Sequence, residues 1–230
     1  PMELSGLEVG SYTITWGEVT NWTAPASETL TVGENETITF VGVYEIGLPM
    51  PLSPEILMAN FVTVNENMFI EGFESILHED HRTVILQSTF EEWAGSDNPL
   101  NFPYFDRYHI GVIHENIFGG SNGTGPNGNP LPAISSISFS SLERLAVWEQ
   151  VPASVPYFGG FSGCYRAPYM VLAHFNQSDG ARFEVGQMIE FIVTEDGEGM
   201  WSLLGIIPYE NADIVSTEGL SYDALLSLYR

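Results

Sequence analysis

Period-two alternation of apolar and polar residues is the feature that most restricts how this chain can fold. In the opening stretch, Tyr12, Ile14 and Trp16 fall on one face of an extended chain, and threonines fall on the other. Two further alternating runs, 28–32 and 36–44, follow turn-forming residues. This period, with β-branched and aromatic residues, is typical of a half-buried strand. The stretch predicts three antiparallel strands, which need a second layer to cover their apolar face.

Short strand-like runs continue through most of the remaining sequence. Turn signals such as SDNP, NQSDGA and EDGEG separate them, and no period typical of a solenoid is present. The runs are 60–65, 82–90, 107–115, 136–141, 144–151, 169–176, 186–195 and 200–208. Many short strands at irregular spacing are typical of a sandwich. The sequence therefore predicts an all-β protein whose main domain is a jelly-roll-like β-sandwich.

A segment rich in proline and glycine divides the chain. Residues 45–55 read EIGLPMPLSPE, and such turn chemistry predicts a boundary. We therefore expect a small, spacer-like antiparallel β module over residues 1–46 and the β-sandwich domain over residues 47–230.

The C-terminal tail carries the one convincing helical pattern. Leu220, Ala224 and Leu228 recur at a spacing of four residues, which places them on one helix face. Ser221 or Thr217 can cap the start of that helix. We expect a short helix at the end of the chain.

Charge restricts the partners of the protein. Among 230 residues, 30 are Asp or Glu and 6 are Lys or Arg, which gives a formal net charge of −24. Such a surface repels phosphate backbones and anionic lipids, so nucleic acid is excluded as a partner and membrane insertion is not expected. The single cysteine, Cys164, allows no intrachain disulfide and is predicted to be a buried, unreactive thiol.

The opening strands also resemble a known family. The sequence L-x-V-G-x-Y-T-I-T-W is followed by W-x-x-P and L-T-V. Residues 6–44 thus resemble a PEGA-like or carboxypeptidase-regulatory-like β repeat of bacterial and archaeal surface proteins. That resemblance implies an extracellular spacer module without catalytic residues. Trp22 departs from the pattern, because it stands where the family commonly has Gly-Tyr.

Aromatic residues in loop-like segments are the candidate ligand-binding residues. Trp93, Tyr104, Tyr108 and Trp148 lie in stretches that also contain proline, asparagine or acidic residues. An aromatic face beside oxygen acceptors suits a sugar ring, which stacks on the aromatic ring and hydrogen-bonds through its hydroxyl groups. The competing interpretation is that these rings fill the core.

Carboxylates in the predicted turns are candidate metal ligands. Asp179, Asp196 and Glu198 lie where carboxylate and backbone oxygens can converge on Ca²⁺. None of them belongs to an EF-hand loop. A nucleophile is not predicted, because the sequence GFSGC around Ser162 lacks the final glycine of G-x-S-x-G.

These observations predict a non-catalytic extracellular binding or adhesion domain of a larger surface protein. The expected ligand is a glycan or another surface protein, and self-association is a further expectation. Two alternatives remain open. One is a secreted glycan-active hydrolase or lyase that uses carboxylates. The other is a structural subunit of a surface layer or filament.

Overall fold

The computed structural model describes residues 6–19, 22–96, 99–210 and 220–230. The chain divides into two compact units, Pro1–Pro49 and Met50–Arg230. Of the helices within the described ranges, none is long and apolar enough to span a membrane.

The first unit contains two small antiparallel sheets. Its strands are β1 (Gly10–Ile14), β2 (Trp22–Thr23), β3 (Glu28–Val32) and β4 (Glu45–Ile46), and β1 pairs with β3 while β2 pairs with β4. The predicted third strand over residues 36–44 does not form, so that part of the prediction is wrong. Tyr44 instead donates its hydroxyl to the Gly17 carbonyl and packs edge-on against Trp16.

The second unit combines helices with a single large sheet. Its helices are α1 (Pro54–Glu66), α2 (Ile70–Ile76), α3 (Gln87–Trp93), α4 (Arg107–Phe118) and α5 (Tyr222–Leu228). Its strands are β5 (Leu77–Val84), β6 (Tyr104–Asp106), β7 (Gly123–Thr124), β8 (Pro130–Leu131), β9 (Ile134–Arg144), β10 (Glu149–Gln150), β11 (Cys164–Gln177), β12 (Arg182–Glu195) and β13 (Trp201–Pro208).

Seven of these strands form the large sheet in the order β10-β11-β12-β13-β5-β6, and β9 also pairs with β11. All neighbours are antiparallel except β13 and β5, which are parallel. Strands β7 and β8 form a separate two-stranded ladder.

The parallel junction between β5 and β13 is irregular. Leu203 pairs with Leu77 and Gly205 pairs with Arg82. Between these two pairs the chain advances five residues along β5 but two residues along β13. The ring of His81 donates from Nδ1 to the Leu203 carbonyl at 2.8 Å, which satisfies an acceptor within the irregular stretch. The extra residues of β5 bulge away from the ladder.

Helices cover one face of the sheet. Alternate residues of β11, from Ala167 to Phe175, are buried on that face, and Phe61 of α1 packs edge-on against Phe139 and Phe191. A smaller cluster on the opposite face includes Phe158 and the buried Cys164. The Phe158 ring approaches Gly205 so closely that a Cβ on Gly205 would lie 2.3 Å from a carbon of that ring.

Capping residues explain where three helices begin. Ser53 accepts from the Ile56 amide at the start of α1, where Pro54 occupies the first turn. Asp106 accepts from the His109 amide at the start of α4, and Ser221 accepts from the Ala224 amide at the start of α5. The predicted C-terminal helix is confirmed, while the alternative cap Thr217 lies outside the described residues.

The all-β, jelly-roll-like fold prediction is wrong, because the described residues of the second unit form five helices and a mixed sheet. Runs 60–65 and 107–115, read as strands, lie within α1 and α4. Leu57, Phe61 and Val64 recur every three or four residues and are all buried, which is a helical period. The β-branched residues of the run concealed that period. Runs 136–141, 169–176, 186–195 and 200–208 do lie in strands β9, β11, β12 and β13.

Two histidines are buried in the core and remain neutral. Burial lowers the pKa of His81 to about 4 and that of His114 to about 3, from an ordinary value of 6.5. The His114 ring stacks on Phe73 at 3.7 Å between centroids, and its Nδ1 donates to the Ile110 carbonyl. Nε2 of each ring is therefore unprotonated. The Thr83 hydroxyl lies beside Nε2 of His81, and the Tyr222 hydroxyl lies beside Nε2 of His114.

These pKa values predict an acid-sensitive fold. The unfolded chain takes up protons on both histidines as the pH falls below 6.5, whereas the folded chain does not until about pH 4. The contribution of the two neutral histidines to the free energy of unfolding is therefore complete above pH 6.5, and it is lost as the pH falls through their pKa values in the folded protein. His114→Gln should lower the free energy of unfolding at neutral pH. The same variant should also reduce the slope of the free energy of unfolding against pH by up to about 1.4 kcal/mol per pH unit between pH 6 and 4.

Urea unfolding across that pH range measures this effect. His78→Gln is the matched control, because His78 is partly exposed and hydrogen-bonds locally with the Asp80 amide. Equal slopes for the wild type and His114→Gln would contradict the assignment.

Candidate functional site

The candidate site lies where the sheet edge is incomplete. Strand β6 is three residues long and pairs with β5 only from Arg82 to Val84. The preceding part of β5, including the exposed Glu79 and Asp80, therefore extends past its neighbour. Helix α4 starts directly after β6 and closes the other side of the opening. Arg107 donates to the Glu74 carbonyl at 3.1 Å and so joins the start of α4 to the end of α2.

This arrangement creates an open polar cleft of about 650 Å³. Residues from α2, β5, β6 and α4 line it: Glu74, Glu79, Asp80, His81, Arg82, Tyr104, Asp106, Arg107, Tyr108, Gly111, Val112 and Glu115. Five of these side chains carry carboxylates and two carry guanidinium groups. The cleft is thus negatively charged within an already acidic protein.

Three of the carboxylates have no charged partner. Among the salt bridges of the described residues, none includes Glu74, Glu79 or Glu115. Their charges therefore act on whatever enters the cleft.

The guanidinium group of Arg82 is engaged elsewhere. Arg82 donates to the Tyr157 carbonyl and lies over the rings of Tyr104 and Phe161, with its Cζ 5.3 and 5.2 Å from the ring centroids. Such contacts fix the side chain against aromatic faces. Arg82 is thus held against the aromatic wall of the cleft, and among the salt bridges of the described residues none joins it to the acids.

A second, more apolar cleft of about 270 Å³ adjoins the first. The two clefts share Tyr104, Tyr108 and Val112. The remaining lining residues are Pro99, Leu100, Asn101, Phe102, Phe105, His109, Ile113 and Arg230. Tyr108 is 75% exposed and Phe102 is 61% exposed, so large apolar side chains stand open to solvent beside the acids.

An aspartate–histidine pair stands on the first turn of α4, between the two clefts. Asp106 Oδ1 accepts from the His109 amide at 3.0 Å and from His109 Nδ1 at 2.7 Å. Burial alone would raise the pKa of Asp106, but these two hydrogen bonds outweigh it and hold the pKa below its ordinary value. The pair fixes the orientation of the ring, with Nδ1 donating to the carboxylate.

The structure brings two of the four predicted ligand-binding residues together. Tyr104 and Tyr108 line both clefts. Trp93 is buried beneath the guanidinium of Arg230, which lies 4.3 Å from its ring centroid. Trp148 lies elsewhere and donates from its indole nitrogen to Glu55. Glycan binding stays a prediction. The four rings do not lie together, so a single site formed by all of them is not favoured.

The three predicted calcium ligands do not come together. Asp179 accepts from the Ala181 amide in the turn before β12, and Asp196 accepts from the Glu198 and Met200 amides in the turn after it. The ends of a strand of this length lie about 40 Å apart. Within the described ranges, no group of three or more His, Cys, Asp or Glu side chains could hold a metal ion. Calcium binding at either turn stays a prediction.

The sequence did not point to Asp106 or to the carboxylates of α2 and β5, and His109 was considered only as a possible metal ligand. One signal was present, because Asp106 precedes apolar residues at 110, 113 and 117 and is a preferred N-cap type. The approach of Glu74 and Glu79 to α4 depends on the tertiary fold and leaves no local pattern.

Comparisons with known proteins show a likeness to several solved structures. A candidate aromatic ring hydroxylase from Novosphingobium aromaticivorans is 14% identical over 76% of this chain and 94% of its own, with a TM-score of 0.47. A candidate scytalone dehydratase from the same species is 12% identical over 73% and 88%, with a TM-score of 0.45. An NTF2-like superfamily protein from Salmonella enterica is 10% identical over 74% and 97%, with a TM-score of 0.43. No family model and no curated protein matches the sequence.

These findings correct two predictions. The resemblance of residues 6–44 to a surface-protein repeat is wrong, because no family model matches the sequence and the strand expected over residues 36–44 does not form. The adhesion function is also wrong. It rested on that resemblance and on a β-sandwich, and the second unit is instead an α+β structure. The extracellular location stays a prediction. At this level of similarity none of the activities of the similar solved structures transfers to the chain.

The Asp106–His109 pair predicts two separable mutational effects. Asp106→Ala removes both the N-cap of α4 and the partner of His109, and it should lower the free energy of unfolding by about 1 kcal/mol. Asp106→Asn keeps a good capping oxygen and should cost less. Chemical denaturation of both variants measures the difference. Glu79→Ala, at an exposed position without a salt bridge, is the control and should leave stability nearly unchanged. An Asp106→Ala variant as stable as the wild type would contradict the capping role.

Proposed function

We propose that the second unit binds a small organic cation with an apolar body at the adjoining clefts. The proposal rests on one observation. Carboxylates without salt-bridge partners among the described residues line one cleft, exposed aromatic side chains line the other, and the two clefts adjoin at Tyr104 and Tyr108. An amine or guanidine group would lie in the polar cleft, and the apolar part of the molecule would lie beside Leu100, Phe102 and Phe105.

Electrostatics favours a cation over an anion at this position. Glu74, Glu79 and Glu115 face the polar cleft without salt-bridge partners among the described residues. A carboxylate ligand would meet like charges from three elements at once, and such contacts are unfavourable. The net charge of −24 adds a long-range attraction for cations.

Aromatic side chains supply the second contribution. The exposed ring of Tyr108 can attract an ammonium group with about 0.5–1 kcal/mol, whereas the Tyr104 ring already lies under the guanidinium of Arg82. Apolar contact in the second cleft adds about 25 cal/mol for each Å² removed from water. Because each exposed ion pair contributes about 0.2–1 kcal/mol, the expected affinity lies between micromolar and millimolar, and it should weaken with salt.

A matched series of three probes tests the proposal. Phenethylamine, phenethyl alcohol and phenylacetate share an aromatic ring and differ in charge. Isothermal titration should give the tightest binding for the amine, weaker binding for the alcohol and the weakest for the carboxylate. Glu115→Gln should weaken amine binding by about 2- to 5-fold, since it removes one exposed ionic interaction, and Tyr108→Ala should weaken all three probes.

Two control variants separate this site from general effects of charge and aromaticity. Glu143→Gln removes a carboxylate at the end of β9, and Tyr165→Ala removes an exposed ring that packs against Trp201. Neither residue lines the clefts, so both variants should bind the amine like the wild type. Equal affinities for the three probes would exclude a cation-selective site, and equal losses in Glu143→Gln and Glu115→Gln would show that only net charge matters.

A further inference from the structure

Three neighbouring strands align a serine, a histidine and a glutamate on the face of the sheet opposite the helices. His174 of β11 pairs with Glu184 of β12 on one side and with Ser138 of β9 on the other. Ser140 Oγ lies 2.8 Å from His174 Nε2, and Glu184 Oε2 lies 3.4 Å from His174 Nδ1. We propose that Ser140, His174 and Glu184 act as nucleophile, base and orienting carboxylate in acyl transfer from small esters.

A β-bulge places the serine. Leu172 pairs with Ser141 and Ala173 pairs with Phe139, so Ser140 is the extra residue of β9 without a ladder partner. Bulges redirect a side chain and are common beside active sites. The bulge brings Ser140 Oγ to the histidine, and Ser140 is exposed to solvent. A substrate carbonyl can therefore reach the oxygen without any opening of the fold.

The histidine is positioned as a base. The Ser140 hydroxyl can donate to Nε2 only when the ring proton is on Nδ1, the nitrogen that faces Glu184. The His174 side chain is 15% exposed, and within the described part of the chain Nδ1 is buried and has no hydrogen-bond partner. Glu184 is within ion-pair distance but not aligned as an acceptor. A small rotation of its carboxylate completes the hydrogen bond, as often happens when a substrate binds.

Arg182 holds the carboxylate near this position. Its Nη2 lies 3.7 Å from the same oxygen, Glu184 Oε2. The interaction holds the carboxylate beside the ring. An ionised carboxylate stabilises the imidazolium that forms when the histidine accepts the serine proton.

The reaction balances with water as the only co-reactant. The Ser140 oxygen attacks the ester carbonyl while its proton moves to His174 Nε2, and a bond forms between serine oxygen and acyl carbon. The bond from that carbon to the alkoxy oxygen then breaks, and the leaving alkoxide takes the proton from His174. Water then gives a proton to the same nitrogen and attacks the acyl carbon. The bond from that carbon to the serine oxygen breaks, the serine oxygen takes the proton back from His174, and the acid is released.

This site is independent of the proposed cation-binding site. None of its three residues lines either cleft. It also differs from the sequence GFSGC around Ser162, which was the one serine motif visible in the sequence.

A fluorophosphonate probe tests the proposal directly, because it forms a covalent adduct with an activated serine. Intact-mass measurement and peptide mapping should show one adduct, at Ser140. Ser140→Ala should abolish it, and His174→Gln should slow its formation by at least about 100-fold, the usual contribution of a general base. Glu184→Gln should slow it by a smaller factor. Hydrolysis of p-nitrophenyl acetate should follow the same order.

Ser138→Ala is the matched control, since Ser138 lies two residues away on β9, opposite the same histidine, and is exposed. It should label like the wild type. Labelling that fails in the wild type, persists in Ser140→Ala or is unchanged in His174→Gln would overturn the proposal. If His174→Gln does not fold, the pH profile of the wild type decides. Labelling must fall on acidification, because a protonated ring accepts no proton, and a flat profile would overturn the assignment.

Discussion

The hydrogen bond from His81 to the Leu203 carbonyl is the interaction on which the second unit most depends. It lies at the parallel junction of β5 and β13, which joins the helical part of the unit to the long antiparallel strands. The strands that pair at this junction are more than a hundred positions apart in the sequence, so bringing them together has a high cost in chain entropy. A buried ring that donates to a carbonyl avoids an unsatisfied acceptor there. Burial also keeps the ring neutral, since its pKa falls to about 4.

The same irregular junction shapes the proposed binding site. Because β5 bulges before Arg82, Glu79 and Asp80 project past the short strand β6 and line the polar cleft. The cap at Asp106 starts α4 directly beyond that edge and presents Tyr108 to both clefts. The stabilising hydrogen bond and the proposed binding site therefore share one region, where a local departure from regular pairing exposes acidic and aromatic side chains.

The sequence predicted the long strands well because their environment is simple. β11 and the first half of β12 have one buried face, and their alternation is visible over many residues. The second half of β12 and β13 are buried on both faces, and they appear in the sequence as short, continuous apolar runs. Helices α1 and α4 were misread as strands, because β-branched residues interrupt their apolar spacing. Their caps, Ser53 and Asp106, were the better signal. Tyr104 and Tyr108 were selected as binding residues for a glycan, and the acids beside them are the basis of the cation-binding proposal. The approach of Ser140 to His174 depends on a bulge between strands, which no single-sequence pattern encodes.

The most direct test of the cleft as a cation-binding site is a map of backbone amide chemical-shift changes on titration with phenethylamine. The account predicts that the largest changes fall in residues 79–82 of β5 and 104–115 of β6 and α4, and that they shrink with added salt. Changes spread evenly over the acidic surface, or centred on the turns at Asp179 and Asp196, would contradict it.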